Sequence, residues 1–154
     1  MADFEIVKKN KMTIVGIECR TSNDPNACPV DIPKLRDRFT KENIFQKIPN
    51  KISHDIFGLY CEYEKDHTKP FTYLIGCPVN STDGISPELT IKMIPEARYA
   101  LFKAIGEHPK TLIETWMKVW QLQLKRSFTY DFEIYGSPFK NNPPQVDLYI
   151  AIHQ

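Results

Sequence analysis

Phe132-Glu133-Ile134-Tyr135 repeats the pattern of Phe57-Gly58-Leu59-Tyr60, which lies seventy-five residues earlier in the chain. The same shift places Ile75-Gly76 on Ile150-Ala151. The apolar and aromatic positions match in each pair. The one change in chemical character is at the position where the first copy has Gly58 and the second has Glu133. The sequence therefore predicts a duplicated scaffold whose centre has gained one acid, and Glu133 is the first candidate for a functional residue.

Each half is predicted to run strand, helix, strand, strand. The first half begins with Met12–Glu18, a β-branched run of strand length. A helix follows, with Asp31 as its N-cap and Pro33 in its first turn, and it ends before Pro49. The remaining predicted strands are His54–Tyr63, Phe71–Val79, Leu89–Ile94, Ala97–Ala104, Tyr130–Gly136 and Val146–His153.

The second half carries a longer helix that opens at His108-Pro109-Lys110. Its predicted buried stripe consists of Leu112, Ile113, Trp116, Val119, Trp120 and Leu124. We therefore predict an α+β fold in which two tandem units form an antiparallel sheet, with the helices on one face and a central ligand groove. The pseudo-repeats span about 1–79 and 88–154 within a single domain.

Size and charge narrow the class of protein. The chain has 154 residues, enough for one domain with a substantial core, and its net charge is only +1. A direct nucleic-acid partner is not expected, because the basic surface that such binding requires is missing. The longest apolar runs fall short of the roughly 18 residues that span a bilayer, so we expect a cytoplasmic protein without a membrane partner. Its four cysteines lack metal-ligand spacing and are expected to be reduced thiols.

The pleat of a strand predicts which side chains share a face, because successive residues point to opposite sides of the sheet. One apolar face is expected beneath the helices: Phe57, Leu59, Phe71, Tyr73, Ile75, Phe132, Ile134, Val146, Leu148, Ile150 and Ile152. The opposite face is expected to carry Asp131, Glu133, Tyr135, Tyr149, Ala151, Gly58, Tyr60, Leu74 and Gly76. Tyrosines, an acid and small residues together leave room, so we interpret this second face as the wall of a groove.

A carboxylate among aromatic rings favours a flat or lipophilic cation. The charge attracts the cation in a medium of reduced dielectric, and ring faces add cation-π contacts of roughly 0.5–2 kcal/mol each. Simpler explanations stay open from spacing alone. A strand glutamate facing away from helices is most often solvated, strand tyrosines suit any half-buried pleated surface, and tryptophans four residues apart on a helix usually belong to a core.

The closing third of the chain resembles a known superfamily. Its elements are a helix with Glu114-Thr115-Trp116 and Trp120, a strand within Arg126–Tyr135 of the form Phe-Glu-x-Tyr, and the terminal strand Val146–Ile152. This pattern is similar to the closing motif of the gyrase-inhibitor-like (GyrI-like) effector-binding superfamily, which also includes the effector-binding domains of AraC-type regulators. The likeness covers essentially the whole chain, because the superfamily fold is a tandem pair of strand-helix-strand-strand units.

The resemblance implies a stand-alone effector-binding domain whose central cavity binds small, hydrophobic and often cationic molecules. It assigns to Glu133 the neutralisation of a ligand's positive charge and makes Tyr135, Tyr60, Tyr149 and Trp120 candidate ligand-binding residues. No cofactor or metal is expected. The segment 1–11 is too short for a helix-turn-helix, so we expect any regulation of DNA to require a separate DNA-binding partner.

Three alternatives remain open at this stage. Glu133 could act as a general base in a small hydrolase of electrophilic compounds, with Tyr135 orienting the substrate. The outer surface could bind a protein, as in gyrase inhibition, which leaves a protein partner open. A tetrapyrrole is a further option because a haem-binding family resembles this duplicated fold, although no histidine lies near Glu133 on the expected groove face. The usual hydrolase and nucleotide-binding motifs do not occur.

Overall fold

Eight strands and three helices make up the part of the chain that the structure, a computed structural model, describes: residues 4–23, 28–66, 68–106, 110–122, 124–135 and 145–153. In chain order the elements are β1 Glu5–Lys9, β2 Met12–Thr21, α1 Cys28–Lys41, α2 Ile44–Lys47, β3 Ile56–Cys61, β4 Phe71–Val79, β5 Thr90–Ile94, β6 Ala97–Ile105, α3 Lys110–Gln121, β7 Tyr130–Tyr135 and β8 Gln145–Ile152. All eight strands pair antiparallel in one sheet. The predicted α+β class is therefore confirmed.

The order of the strands in the sheet is symmetric about its centre. It runs β1-β6-β8-β7-β3-β4-β2-β5, so β6, β8 and β7 of the second half are mirrored by β2, β4 and β3 of the first. The halves meet where β3 pairs with β7, and there Gly58 lies opposite Glu133. Phe57 pairs with Ile134, and Leu59 pairs with Phe132. This register is the one that a pseudo-two-fold axis between Gly58 and Glu133 produces.

The helices pack on the face of the sheet that carries Glu133. Leu35 and Phe39 of α1 join a buried cluster with Tyr73 and Ile75 of β4, and Val119 of α3 packs in a second cluster with Leu148 and Ile150 of β8. Leu148 is the cross-strand partner of Glu133, so the two side chains share a face. Helical packing thus encloses Glu133 instead of leaving it on an open side.

The opposite face is also buried, although no described helix covers it. Its core cluster draws residues from β2, β3, β4, β5, β6, β7 and β8: Ile14, Phe57, Leu59, Cys61, Leu74, Ile94, Tyr99, Leu101, Phe132, Tyr149 and Ala151. Ile94 of the edge strand β5 belongs to this cluster, and Val7 of the other edge strand, β1, packs against it, so the sheet curves and packs against itself. Phe132 and Tyr149 stack with ring centroids 4.7 Å apart, and the Tyr99 ring stands edge-on to Phe132 at 5.1 Å.

The predicted assignment of side chains to faces was therefore wrong between strands, although the alternation within each strand holds. Phe57, Leu59, Phe132 and Ile134 lie on the face away from the helices, and Leu74 lies with them. Leu148 and Ile150 lie on the helix face with Glu133. The cause is register: Tyr60 pairs with Tyr73 and Leu59 with Leu74, and a shift of one residue exchanges the two faces of a strand.

Several element boundaries also differ from the prediction. Helix α1 begins at Cys28, so Asp31 lies in its first turn and is not its N-cap. A separate short helix, α2, precedes Pro49. The helical conformation is interrupted between α1 and α2 at Asn43, whose φ of 53° is left-handed. Strand β1 was not predicted; it pairs with β6, while β5 of the second half pairs with β2. Each half therefore completes the edge of the other.

The predicted buried stripe of α3 agrees with the structure only in part. Leu112 and Val119 are buried as predicted, but Ile113 and Trp120 are exposed and Leu124 lies beyond the helix. The predicted opening of the helix at His108-Pro109 lies outside the described residues. In the described part of the chain, none of the helices has both the length and the apolar character needed to cross a membrane.

Candidate functional site

Glu133 is almost completely buried at the centre of the sheet, with 1% of its surface exposed. It lies on β7 opposite Gly58 of β3, and that glycine makes the space for its carboxylate. A Cβ at position 58 would lie 3.0 Å from Glu133 Oε1 and 2.6 Å from the hydroxyl oxygen of Tyr73. The difference between the two repeats at this position therefore has a physical basis, because any residue larger than glycine at position 58 would collide with Glu133 and Tyr73.

Three side chains donate hydrogen bonds to the Glu133 carboxylate. The Trp116 indole Nε1–H donates to Oε2 at 2.7 Å, and the Tyr60 hydroxyl donates to the same oxygen at 3.2 Å. The Tyr135 hydroxyl donates to Oε1 at 2.8 Å. Because an ionised carboxylate only accepts hydrogen bonds, this set of donors matches its charged form.

Burial nevertheless raises the pKa of the Glu133 carboxyl above its ordinary value. The Trp116 hydrogen bond, the positive charge of Arg36 and the two tyrosine hydroxyls act in the opposite direction. The net shift of the pKa is upward, so the Glu133 carboxyl holds its proton more strongly than an exposed glutamate. A cation placed next to it would favour the ionised form and lower this pKa.

Arg36 of α1 is an internal cation on the other side of the carboxylate. Its Nη2 lies 3.9 Å from Glu133 Oε1, and it donates hydrogen bonds to the hydroxyls of Tyr73, at 3.2 Å, and of Tyr135. The guanidinium also lies over the Tyr135 ring, 4.6 Å from its centroid. Burial lowers the pKa of Arg36, but Tyr73, Tyr135 and Glu133 raise it more, so Arg36 is charged. Its side chain is 34% exposed.

A cavity of about 150 Å³ lies between α3 and the sheet. Its walls are mainly aromatic and include both residues that donate to Glu133 Oε2. The lining consists of Asn23, Tyr60, Tyr63, Phe71, Ile113, Trp116, Trp120 and Arg126. The rings are in mutual contact, with centroid separations of 5.1 Å for Tyr60–Trp116 and 5.6 Å for Tyr60–Phe71. Glu133 lies directly behind Tyr60 and Trp116 and contributes negative charge through this wall.

A second buried acid lies on the same face, two residues before Glu133. Asp131 is fully buried and forms an ion pair with Arg126 Nη2 at 2.8 Å. It also accepts hydrogen bonds from the Tyr63 hydroxyl at 2.5 Å and from the backbone N–H of Ala151 at 2.8 Å. Burial raises the pKa of Tyr63 well above its ordinary value, and the charge of Asp131 raises it further, so Tyr63 stays a hydrogen-bond donor.

The structure places four of the five predicted site residues at Glu133 or at the cavity, and one elsewhere. Tyr60 and Tyr135 both contact Glu133, and Trp120 lines the cavity with its ring 6.4 Å from that of Trp116. Tyr149 is on the opposite face, where it stacks on Phe132. The predicted position of Tyr149 on the groove wall was wrong, for the reason of register given above. The role of the other residues in binding a ligand stays a prediction.

Sequence reasoning missed several residues that contact the two acids. The sequence predicts Trp116 only as part of the helix stripe and the tryptophan pair, predicts Tyr63 only as the end of a strand, and gives no place to Arg36 in the site. The only local signal that Arg36 could approach the core is its place in α1 among basic residues that alternate with Leu35 and Phe39. Arg126 belongs to the motif Arg126–Tyr135, and its spacing from Asp131 gives no hint of an ion pair.

A duplicated strand-helix-strand-strand sheet with a buried acid and aromatic rings around a cavity defines the class of effector-binding domains. The sequence matches the Cass2 family, described as integron-associated effector binding protein, over residues 5–152. The chain belongs to this family, and the resemblance to GyrI-like effector-binding domains is confirmed. No curated protein sequence gives a significant match.

Solved structures of similar proteins agree with this assignment. An integron cassette protein from the mobile metagenome of Vibrio cholerae is 27% identical, with 98% of this chain and 96% of that one aligned and a TM-score of 0.77. SAV2435, solved bound to tetraphenylphosphonium, is 17% identical over 99% of this chain and 94% of its own, with a TM-score of 0.79. The C-terminal domain of EcmrR is 12% identical over 98% of both chains, with a TM-score of 0.57. SAV2435 and the EcmrR domain share the fold of this chain.

Proposed function

We propose that this protein binds a small lipophilic cation in the cavity beneath α3 and acts as an effector-binding protein in sensing or sequestration. The observation that carries the proposal is the position of Glu133: a buried carboxylate whose Oε2 contacts two side chains of the cavity wall. SAV2435, which has the same fold, was solved with tetraphenylphosphonium, a lipophilic cation.

The cavity volume sets the size of the ligand. A cavity of about 150 Å³ holds roughly one benzene ring. A larger cation requires the outer wall to move, and that wall is formed by Ile113 and Trp120 of α3, which are 56% and 45% exposed. Because both side chains are partly exposed, we expect small aryl cations to bind readily and larger ones to bind by displacing these side chains.

Electrostatics favour a cation over a neutral molecule of equal shape. At an effective dielectric constant of about 20, a positive charge roughly 6 Å from the carboxylate gains on the order of 2–3 kcal/mol. Arg36 offsets part of this gain from the other side of Glu133. The expected net preference is therefore about tenfold in affinity.

The test compares phenyltrimethylammonium with its neutral isostere tert-butylbenzene, using tryptophan fluorescence and calorimetry. Glu133→Gln is expected to weaken the cation about tenfold and to leave the neutral isostere unchanged. Glu96→Gln is the matched control, because it removes the same charge from an exposed residue outside the cavity wall. Equal cation affinity in wild type and Glu133→Gln, or no binding of the cation at all, would refute the proposal.

The hydrolase alternative has no comparable support. A general base needs an oxygen available to accept a proton from water. Both oxygens of Glu133 already accept hydrogen bonds from the protein, and Arg36 lies beside Oε1. The same arrangement suits a fixed charge better than a proton acceptor.

A further inference from the structure

The Nε–H of the Arg126 guanidinium is a buried donor that no described residue accepts. Arg126 lines the cavity, and its side chain is only 6% exposed. Its Nη2 donates to Asp131, but Nε is buried without a hydrogen-bond partner among the described residues. Buried donors are nearly always paired, and an unpaired N–H on a charged group is costly to keep.

The position of this guanidinium is fixed by the surrounding structure. The backbone beside it is tied to β8 by the hydrogen bonds Ser127 N–H to Ala151 C=O, at 3.0 Å, and His153 N–H to Lys125 C=O, at 2.8 Å. The Arg126 guanidinium also packs over the Phe128 ring at 4.3 Å. Together with the Asp131 ion pair, these contacts leave the side chain little freedom to turn its Nε toward another acceptor.

The carboxylate oxygens of this region are already engaged. Glu133 accepts three hydrogen bonds, and Asp131 accepts three as well. The Nε–H therefore lacks a protein acceptor among the described residues, and it belongs to a residue that lines the cavity. Because Asp131 compensates the charge of Arg126, a neutral acceptor such as a carbonyl or ether oxygen is sufficient.

We infer that Arg126 is a specificity-determining residue, and that the ligand is an aryl cation carrying a hydrogen-bond acceptor which the Arg126 Nε–H binds. This inference rests on the proposed function, since it concerns the same cavity. It adds a second recognition element to the one supplied by Glu133. Cations without an acceptor, such as phenyltrimethylammonium itself, would bind but leave the Arg126 donor unpaired.

The test uses two isosteric probes: phenyltrimethylammonium bearing an acetyl group, and its analogue bearing an isopropenyl group, each as the meta and the para isomer. The two groups differ mainly in replacing C=O by C=CH₂. We expect at least one acetyl isomer to bind wild-type protein about tenfold more tightly than its isopropenyl partner, because the donor is charged and buried. Equal affinities of the two probes in both isomers would overturn the inference.

Variants assign this preference to a residue. Arg126→Lys keeps a cation for Asp131 but lacks the Nε–H. The acetyl and isopropenyl probes should therefore bind this variant with about equal affinity. The double variant Arg126→Met with Asp131→Asn removes both charges together and should give the same loss, which covers the case in which the lysine variant does not fold. Retention of the preference in a folded variant of either kind would refute the role of Arg126.

Glu133→Gln separates this inference from the proposed function. It should weaken the acetyl and isopropenyl probes equally and leave their ratio unchanged, since the acceptor is bound elsewhere. If Glu133→Gln weakens both probes and the wild type shows no acetyl preference, the proposed function stands and the Arg126 inference fails. If neither probe binds the wild type, both fail. Loss of the preference in Glu133→Gln would assign acceptor recognition to Glu133 and overturn the inference.

Discussion

Replacing Gly58 with alanine should destabilise the protein by about 1–2 kcal/mol. The added Cβ would lie 2.6 Å from the Tyr73 hydroxyl and 3.0 Å from Glu133 Oε1. Neither neighbour can move easily, because both side chains are almost fully buried and hydrogen-bonded. Overpacking of this kind costs roughly 1–3 kcal/mol, and the reduced entropy of the unfolded chain offsets about 0.4–1 kcal/mol of it.

A second substitution tests whether the clash is the cause. Tyr73→Phe removes the oxygen nearest to the new Cβ and costs about 0.5–1.5 kcal/mol by itself, since Arg36 donates to that hydroxyl at 3.2 Å. In the Gly58→Ala/Tyr73→Phe double variant the closest contact of the new Cβ is removed, so its loss of stability should be about 1 kcal/mol smaller than the sum of the single losses.

The assay is urea unfolding at 25 °C, followed by tryptophan fluorescence, for the wild type and the three variants. Trp116 donates to Glu133, so its emission also reports whether the carboxylate has been displaced. Our reasoning would be refuted if Gly58→Ala is as stable as the wild type. It would also be refuted if the two single losses simply add in the double variant.

Four further predictions follow from the charges around the site. Arg36→Met removes the cation that lies 3.9 Å from Glu133, so the affinity for phenyltrimethylammonium should rise about threefold in calorimetry. The affinity for neutral tert-butylbenzene should not change. An unchanged affinity for the cation would mean that solvent already screens Arg36. Cation affinity should rise with pH as the Glu133 carboxyl ionises through its raised pKa, and a titration of Glu133→Gln should be flat. The folded state retains the Glu133 proton to higher pH than the unfolded state, so wild-type stability relative to Glu133→Gln should fall as pH rises above 4.5; a constant difference in denaturant titrations would contradict this. Arg126→Met should cost about 3–5 kcal/mol by leaving Asp131 buried without its counter-ion, and adding Asp131→Asn should restore most of that stability on urea unfolding.

The order of the elements could be predicted from the sequence because it depends on local patterns. Phe71–Val79 was predicted with the observed bounds, and the other predicted strands overlap the observed ones. The β1 segment Glu5–Lys9 was missed because it has only two apolar residues, and its stability comes from pairing with β6. The break between α1 and α2 depends on a left-handed conformation at Asn43, which no periodicity signals.

The site could be predicted only where it lies within one strand. Spacing by two puts Glu133 and Tyr135 on the same side of β7, and they are hydrogen-bonded. Tyr149 was misplaced because its relation to Glu133 depends on the register between β7 and β8, which is set by pairing and cannot be read from either strand alone. Arg36 and Trp116 approach from two helices, so their contacts depend on how α1 and α3 pack.

The position of Glu133 beside a pseudo-two-fold axis explains why the repeat had to be broken at this point. Gly58 and Glu133 are direct cross-strand partners, and side chains at two such positions point to the same face with their Cβ atoms about 4.5–5.5 Å apart. A glutamate at both positions would bring two carboxylates together in a buried space, and like charges there cannot both stay ionised. Any other side chain at position 58 would meet Tyr73 and Glu133 sterically. A single acid opposite glycine satisfies both limits, and α1 and α3, one from each half, then supply Arg36 and Trp116 to the same carboxylate. The asymmetry of one residue is therefore what converts a symmetric sheet into a charged site.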